Sequence, residues 1–213
     1  MINPDDFVIT RRRKKYKFAK FANSPVCFEF DEWEKQSADV VEVGAGTGLF
    51  SVELARRHPE QRFVAIDVKA DRLQKGAYAA QEAGLTNIRF IRARADQLAE
   101  LFETGSVSRV WVTFPDPYPK KRSAGRRLMH PTFLSTYTKL LSPEGDLILK
   151  HDNPEFFTWS LEQLVSTGWR LCELSFDLHE SDLSEDYKIQ TTYEQRWLGE
   201  GRKTQIVRAR HEA

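Results

Sequence analysis

Apolar and polar positions change period several times along the chain. Val40-Val41-Glu42-Val43 is a short β-branched run that stops at Gly44. Leu49–Arg57 then carries apolar residues at Leu49, Phe50, Val52, Leu54 and Ala55 before Pro59 closes it. The first pattern predicts a strand, the second a helix with one apolar face. The alternation repeats with a strand at 62–66 ending in Asp67, a helix at 70–83 ending in Gly84, a strand at 88–92 and a short helix at 96–103. Next come a strand at 109–114, a helix at 131–141 opening on Pro131, a strand at 145–150 and a helix at 155–166. Strands at 169–178 and 205–210 complete the series. Strand and helix in turn, with short links, predict βαβ units: an α/β, doubly wound, mostly parallel seven-stranded sheet with helices on both faces.

Residues 1–37 lack that rhythm. They are polar, basic and broken by Pro4 and Pro25, which predicts an N-terminal arm that is partly flexible until an anion orders it. Residues 38–213 form the expected domain. A chain of 213 residues can bury roughly 70% of its unfolded surface in one core.

The net charge is only +1, yet the charges are segregated. Basic clusters at Arg11–Lys20 and Lys120–Arg127 and an acidic one at Glu180–Asp186 argue for a local anion-binding face rather than a polycationic body. Two cysteines, Cys27 and Cys172, have no metal or redox spacing and fit a reduced, cytoplasmic compartment. No apolar run approaches the ~20 residues of a membrane span, and no signal-peptide core opens the chain. The five histidines make no i, i+4 ligand pair, so no metal is expected.

"VEVGAGTG" leads from the first strand into the first helix, the setting in which a glycine loop cradles a ligand. Gly44, Gly46 and Gly48 permit close backbone approach, and the helix N-terminus adds free N–H groups. The spacing is G-x-G-x-G rather than G-x-G-x-x-G, and Glu42 precedes the first glycine by two residues. A carboxylate there repels a pyrophosphate but suits an ammonium group, favouring S-adenosyl-L-methionine over a dinucleotide. Asp67, ending the second strand, suits ribose hydroxyls in either cofactor. Asp96 is a third acid at the carboxyl edge, with N-capping as its alternative role.

"FPDPYPKKRSAGRR" follows the fourth strand. Pro115 and Pro117 fix the backbone around Asp116, holding one carboxylate where a methyl acceptor should lie, so Asp116 is the candidate catalytic residue. Lys120, Arg122, Arg126 and Arg127 then present charge suited to phosphates, and the Arg11–Lys20 cluster, with Tyr16, Phe18 and Phe21 interleaved, extends that footprint.

"FPDPYPKKRSAGRRLMHPTFL", with "VEVGAGTG" before it and "TTYEQRWLGEGRKT" after it, resembles the tRNA (guanine-N7-)-methyltransferase family over residues 40–204. The resemblance implies a Rossmann-like class I methyltransferase with an antiparallel last strand. It further implies methylation of N7 of a guanosine at position 46, in the tRNA variable loop. It implies cofactor contacts at Glu42, Asp67, Asp96 and Asp116, and RNA contacts in the loop Arg122–Arg127. Substrate contacts would be Lys120, Asp152, Thr191, Thr192, Tyr193 and Glu194. Tyr118 stands where the family usually has Trp, Asp67 where Glu is typical, Thr47 where a longer side chain is frequent, and His151 where Thr is common. Competing readings are an amino-group methyltransferase, since "DPY" partly matches the corner such enzymes use, a non-catalytic RNA-binding module, and a dehydrogenase. Oligomeric state is left between monomer and homodimer.

Overall fold

The computed structural model describes residues 1–9 and 11–211. Its strands are β1 (Cys27–Glu29), β2 (Val40–Val43), β3 (Phe63–Asp67), β4 (Ile88–Arg92), β5 (Val107–Thr113), β6 (Leu141–His151), β7 (Trp169–Ser175) and β8 (Gln205–His211). Its helices are α1 (Arg12–Ala22), α2 (Leu49–Arg57), α3 (Ala70–Glu82), α4 (Leu98–Leu101), α5 (Pro131–Leu140), α6 (Pro154–Ser166) and α7 (Thr192–Leu198). The strands form one sheet in the order β1-β4-β3-β2-β5-β6-β8-β7. Only β8 runs antiparallel to its neighbours β6 and β7.

Side chains on successive strand residues enter two different cores. Val41, Val43, Val64, Ile66, Ile91, Val110, Val112, Leu147 and Leu149 face the layer that holds α4, α5 and α6. Val40, Phe63, Ala65, Ile88, Phe90, Trp111 and Ile148 face the layer that holds α2 and α3. Full burial on both faces is what a parallel sheet requires, and each such side chain contributes about 1.5–3 kcal/mol. From β2 the chain steps outward through β3 and β4, then crosses back to lay β5 on the other side of β2. That reversal opens a crevice at the carboxyl ends of β2 and β5.

Three elements differ from the sequence expectation. The sheet has eight strands, not seven, because Cys27–Glu29 pairs in parallel with Phe90–Arg92 at the free edge of β4. Three residues beside Pro25 carry no readable period; the partner strand makes them extended. Residues 192–198 form α7, a helix absent from the expected series. The segment read as a basic arm also contains α1, which buries Ala19 and Phe21 against the body while most of its Arg and Lys side chains stay on the outside. Among the described residues no helix is long and apolar enough to cross a membrane, and no cluster of His, Cys, Asp and Glu is placed to hold a metal ion.

Gly76, inside α3, shows how closely the layers approach beneath the crevice. A Cβ there would lie 2.4 Å from the Thr47 carbonyl oxygen and 2.7 Å from the Phe90 ring. Alanine is favoured over glycine by about 1 kcal/mol in a helix interior. Gly76→Ala is nevertheless expected to lower the melting temperature, because the glycine-loop backbone must move to admit one methyl group. A melting temperature at or above wild type would show that the loop yields without cost.

Candidate active site

The glycine loop enters α2 with Gly44, Gly46 and Gly48 all at positive φ, +75°, +58° and +69°. Only glycine adopts such a run without strain. A Cβ on Gly48 would strike Phe90 at 2.7 Å, and one on Gly44 would press Leu128 at 3.2 Å. The loop is tied to the next strand by Asp67, whose carboxylate accepts the Gly46 N–H at 2.8 Å and the Lys69 N–H at 2.8 Å. Burial raises the Asp67 carboxyl above its ordinary range, and those two amides pull it partly back.

Beside this loop lies a cleft of about 320 Å³. Val43, Gly44, Ile66, Asp67 and Val68 form one wall, Ala93 and Ala95 another, and Phe114–Asp116, Tyr118, Arg126 and Leu128 the side contributed after β5. The size falls within the usual range for small-molecule sites. Asp116 is exposed to the cleft. Its corner is held in unusual backbone geometry, with φ +46° at Phe114 and +40° at Tyr118, values bulky residues rarely adopt. Two side chains clamp that corner. His151 Nδ1 accepts the Asn153 N–H at 2.8 Å, so Nε2 carries the proton and donates to the Pro115 carbonyl at 2.9 Å. Burial lowers the His151 pKa, which keeps this neutral tautomer in place. Arg127 donates to the Tyr118 carbonyl at 3.1 Å and stacks 4.3 Å from the Trp159 ring centroid.

The remaining sequence-derived candidates divide into three groups. Arg126 lines the cleft, while Lys120 and Arg122 are exposed on the 3-10 turn region beside it. Thr192 and Tyr193 reach the same region from α7: the Thr192 hydroxyl lies 3.4 Å from that of Thr47, and the Tyr193 ring packs 5.3 Å from Phe114. Others are committed elsewhere. Asp96 pairs with Arg94 at 2.9 Å and sits outside the cleft lining, its carboxyl lowered by that bond. The Asp152 side chain is 5% exposed and accepts from Arg202 at 3.0 Å. Thr191 and Glu194 form the capping box of α7. Arg127 belongs to the clamp just described rather than to a free phosphate-facing surface.

Glu42 is the most displaced from expectation. It does not line the cleft. It lies buried under the loop, accepting from the Ser51 hydroxyl at 2.6 Å and the Thr113 hydroxyl at 2.6 Å. Burial pushes its carboxyl up to about 7 despite those bonds.

Sequence reading did not find Lys150. Its fully buried ammonium donates to Glu194 and to the Ile189 carbonyl, both at 2.9 Å. Glu194 is also bonded to His179 at 2.8 Å and accepts from Thr204 at 2.9 Å. The lysine at the end of the apolar run "LILK" was the available signal. His130 caps α5, its Nδ1 accepting the Thr132 N–H.

S-adenosylmethionine suits this cleft. Ile66, Val68, Ala93 and Ala95 supply apolar wall for a flat base, Asp67 keeps acceptor capacity for ribose hydroxyls, and the glycines leave space that Cβ atoms would fill. Solved structures share the architecture. The 16S rRNA methyltransferase KamB superposes with a TM-score of 0.63 at 19% identity, covering 86% of this chain and 90% of that one. The 16S rRNA (adenine(1408)-N(1))-methyltransferase from Catenulisporales acidiphilia gives a TM-score of 0.57 at 17% identity, covering 100% and 92%. Fold and site together define a class I, Rossmann-like methyltransferase. A family model described as a putative methyltransferase matches residues 36–207. The tRNA (guanine-N(7)-)-methyltransferase of Brevibacillus brevis is 33% identical over 197 residues, 91% of either chain. That of Cytophaga hutchinsonii is 39% identical over 165 residues, 76% of this chain and 75% of its own. The chain belongs to the tRNA (guanine-N7-)-methyltransferase family.

The Glu42 carboxyl makes stability depend on pH. Its folded pKa of about 7 lies above the ordinary 4.5, so the folded form binds the extra proton between those values. The associated stability is fully present below about 4.5 and is lost as pH rises through 7. In the ligand-free protein, Glu42→Gln should therefore lose less melting temperature between pH 5 and pH 8 than wild type does. Parallel profiles would show that Glu42 titrates normally in the fold.

Proposed function

We propose that the chain transfers a methyl group from S-adenosyl-L-methionine to N7 of a guanosine in the variable loop of tRNA, at position 46. The observation that carries this reading is Asp116, held on a strained, doubly clamped corner in the same cleft as the glycine loop and Asp67. Family membership supports the acceptor, and the exposed Lys120, Arg122 and Arg126 beside the cleft support a polyanionic one. The proposed action on tRNA puts the protein in the cytoplasm.

The bound cofactor supplies an electrophilic methyl on a sulfonium sulfur. Guanine N7 offers an in-plane lone pair, so no residue has to remove a proton before attack. The chain's main task is to hold the base in line, where orientation supplies several kcal/mol of the barrier reduction. Asp116 accepts from the guanine N1 and N2 donors and offsets the positive charge that develops on the ring. Thr192 and Tyr193 stand next to that position, Tyr193 as an apolar face against Phe114. Asp67 holds the ribose. Arg126, with Lys120 and Arg122, takes phosphates, while the clamps of His151 and Arg127 keep the Asp116 corner from relaxing.

Incubation of unmodified bulk tRNA with labelled cofactor, followed by nucleoside digestion and mapping, tests the reading. The expected product is 7-methylguanosine at position 46. Label on an exocyclic amine would transfer the chemistry to the amino-group class, and no label at all would remove the enzyme reading. Asp116→Ala is expected to lower kcat about 10²-fold or more, and turnover near wild type would remove Asp116 from the site.

A further inference from the structure

We infer that Arg196, mounted on the indole of Trp197, is a second phosphate-binding point that grips the RNA backbone next to the acceptor nucleotide. The inference rests on the tRNA reading above. A chain of aromatic rings leads there from the cleft. Phe114 lines the cleft, Tyr193 packs 5.3 Å from Phe114, and Trp197 lies 5.7 Å from Tyr193. The guanidinium carbons of Arg202 and Arg196 lie 3.9 Å and 5.0 Å from the Trp197 centroid.

The nearby cations differ in what answers their charge. Arg202 is paired with the Asp152 carboxylate at 3.0 Å, and Lys203 with Asp177 at 2.8 Å. Arg196 is exposed, and among the described residues no carboxylate forms an ion pair with it. Its one described side-chain contact is with the indole, and the residue remains exposed. A guanidinium docked on a ring has already lost part of its rotamer freedom, so less entropy is lost when it binds an anion. Its fork matches phosphate oxygens bidentately. α7 is also a firm mount, because its capping box and the buried Glu194 fix its first turn. Tyr193 and Arg196 stand three residues apart, on neighbouring positions of one helix surface. An exposed ring, Tyr193, beside the partly buried Trp197 and its guanidinium groups is the kind of surface that single-stranded nucleic acid takes, bases on rings and phosphates on guanidinium groups. The tRNA would then be held at two separate points, the turn after β5 and the α7 surface.

Steady-state kinetics with tRNA at several salt concentrations test the inference, using Arg196→Ala and Arg196→Lys. Arg196→Ala should raise the KM for tRNA about tenfold, with the loss falling on KM rather than kcat. It should also reduce the slope of log KM against log salt by about 1. Arg196→Lys should retain that slope, because it keeps the charge while giving up the fork. Cofactor Kd, measured without tRNA, should not move in either variant. If wild type methylates tRNA while Arg196→Ala keeps its KM and salt slope, the second grip does not exist. A changed cofactor Kd would mean that Arg196 supports the fold instead. If wild type transfers no methyl to tRNA, it is the functional reading beneath this inference that falls.

Discussion

The acceptor side of the molecule depends on one buried carboxylate. Glu194 receives Lys150 from the end of β6, bonds His179 from the β7–α7 connection and accepts from Thr204 just before β8. It also closes the first turn of its own helix by accepting the Thr191 N–H. A buried ion pair of this kind adds little net stability over an apolar pair of the same size, but losing one partner strands a charge at a cost of about 3–5 kcal/mol. Its value here is positional. It ties a seven-residue helix, too short to persist alone, to the sheet, so that Thr192 sits over the glycine loop and Tyr193 against Phe114.

The same strategy appears on the other wall of the cleft. Positive φ at Phe114 and Tyr118 would relax in an isolated loop. The imidazole of His151 and the guanidinium of Arg127 hold the two ends of that corner by its carbonyls, and Pro115, Pro117 and Pro119 remove most of the remaining freedom. On the proposed reading, in which Asp116 meets a flat base, that carboxylate gains from such rigidity. Glu42 completes the arrangement from below. Bonded to Ser51 of α2 and Thr113 of β5, it fastens the helix after the glycine loop to the strand that carries Asp116, making the two halves of the cleft one mechanical unit.

The donor half was readable from sequence because its determinants are local. Alternating strand and helix periods, three closely spaced glycines and an acid after the second strand each declare themselves within a few residues. Asp67 and Asp116 therefore stand where expected, at the carboxyl edge of the sheet. Glu42 was misplaced by the same local reasoning, since adjacency to a glycine loop says nothing about which face of the strand a side chain enters. β1 and α7 were missed for the opposite reason. Three residues paired with β4, and seven fastened by Lys150 and Glu194, owe their conformation to partners far along the chain. The capping box within "TTYE" is nevertheless a local helix-start signal.

A near-neutral chain that must hold a polyanion cannot afford to use all its cations alike. Counting basic residues treats Arg126 and Arg127 as one patch, whereas the structure separates them by what each faces: the cleft for Arg126, a carbonyl and an indole for Arg127. Arg202, committed to Asp152, differs from Arg196 in the same way. In both pairs one guanidinium builds local structure and its companion is left facing outward beside it. The cationic surface available to RNA is therefore smaller than the sequence suggests, and one of its members, Arg196, lies against the Trp197 indole. Fewer charges at separate points give weaker attraction to any polyanion and sharper discrimination among the shapes that reach them all at once. For an enzyme selecting one guanine in a folded RNA, that is the more useful distribution.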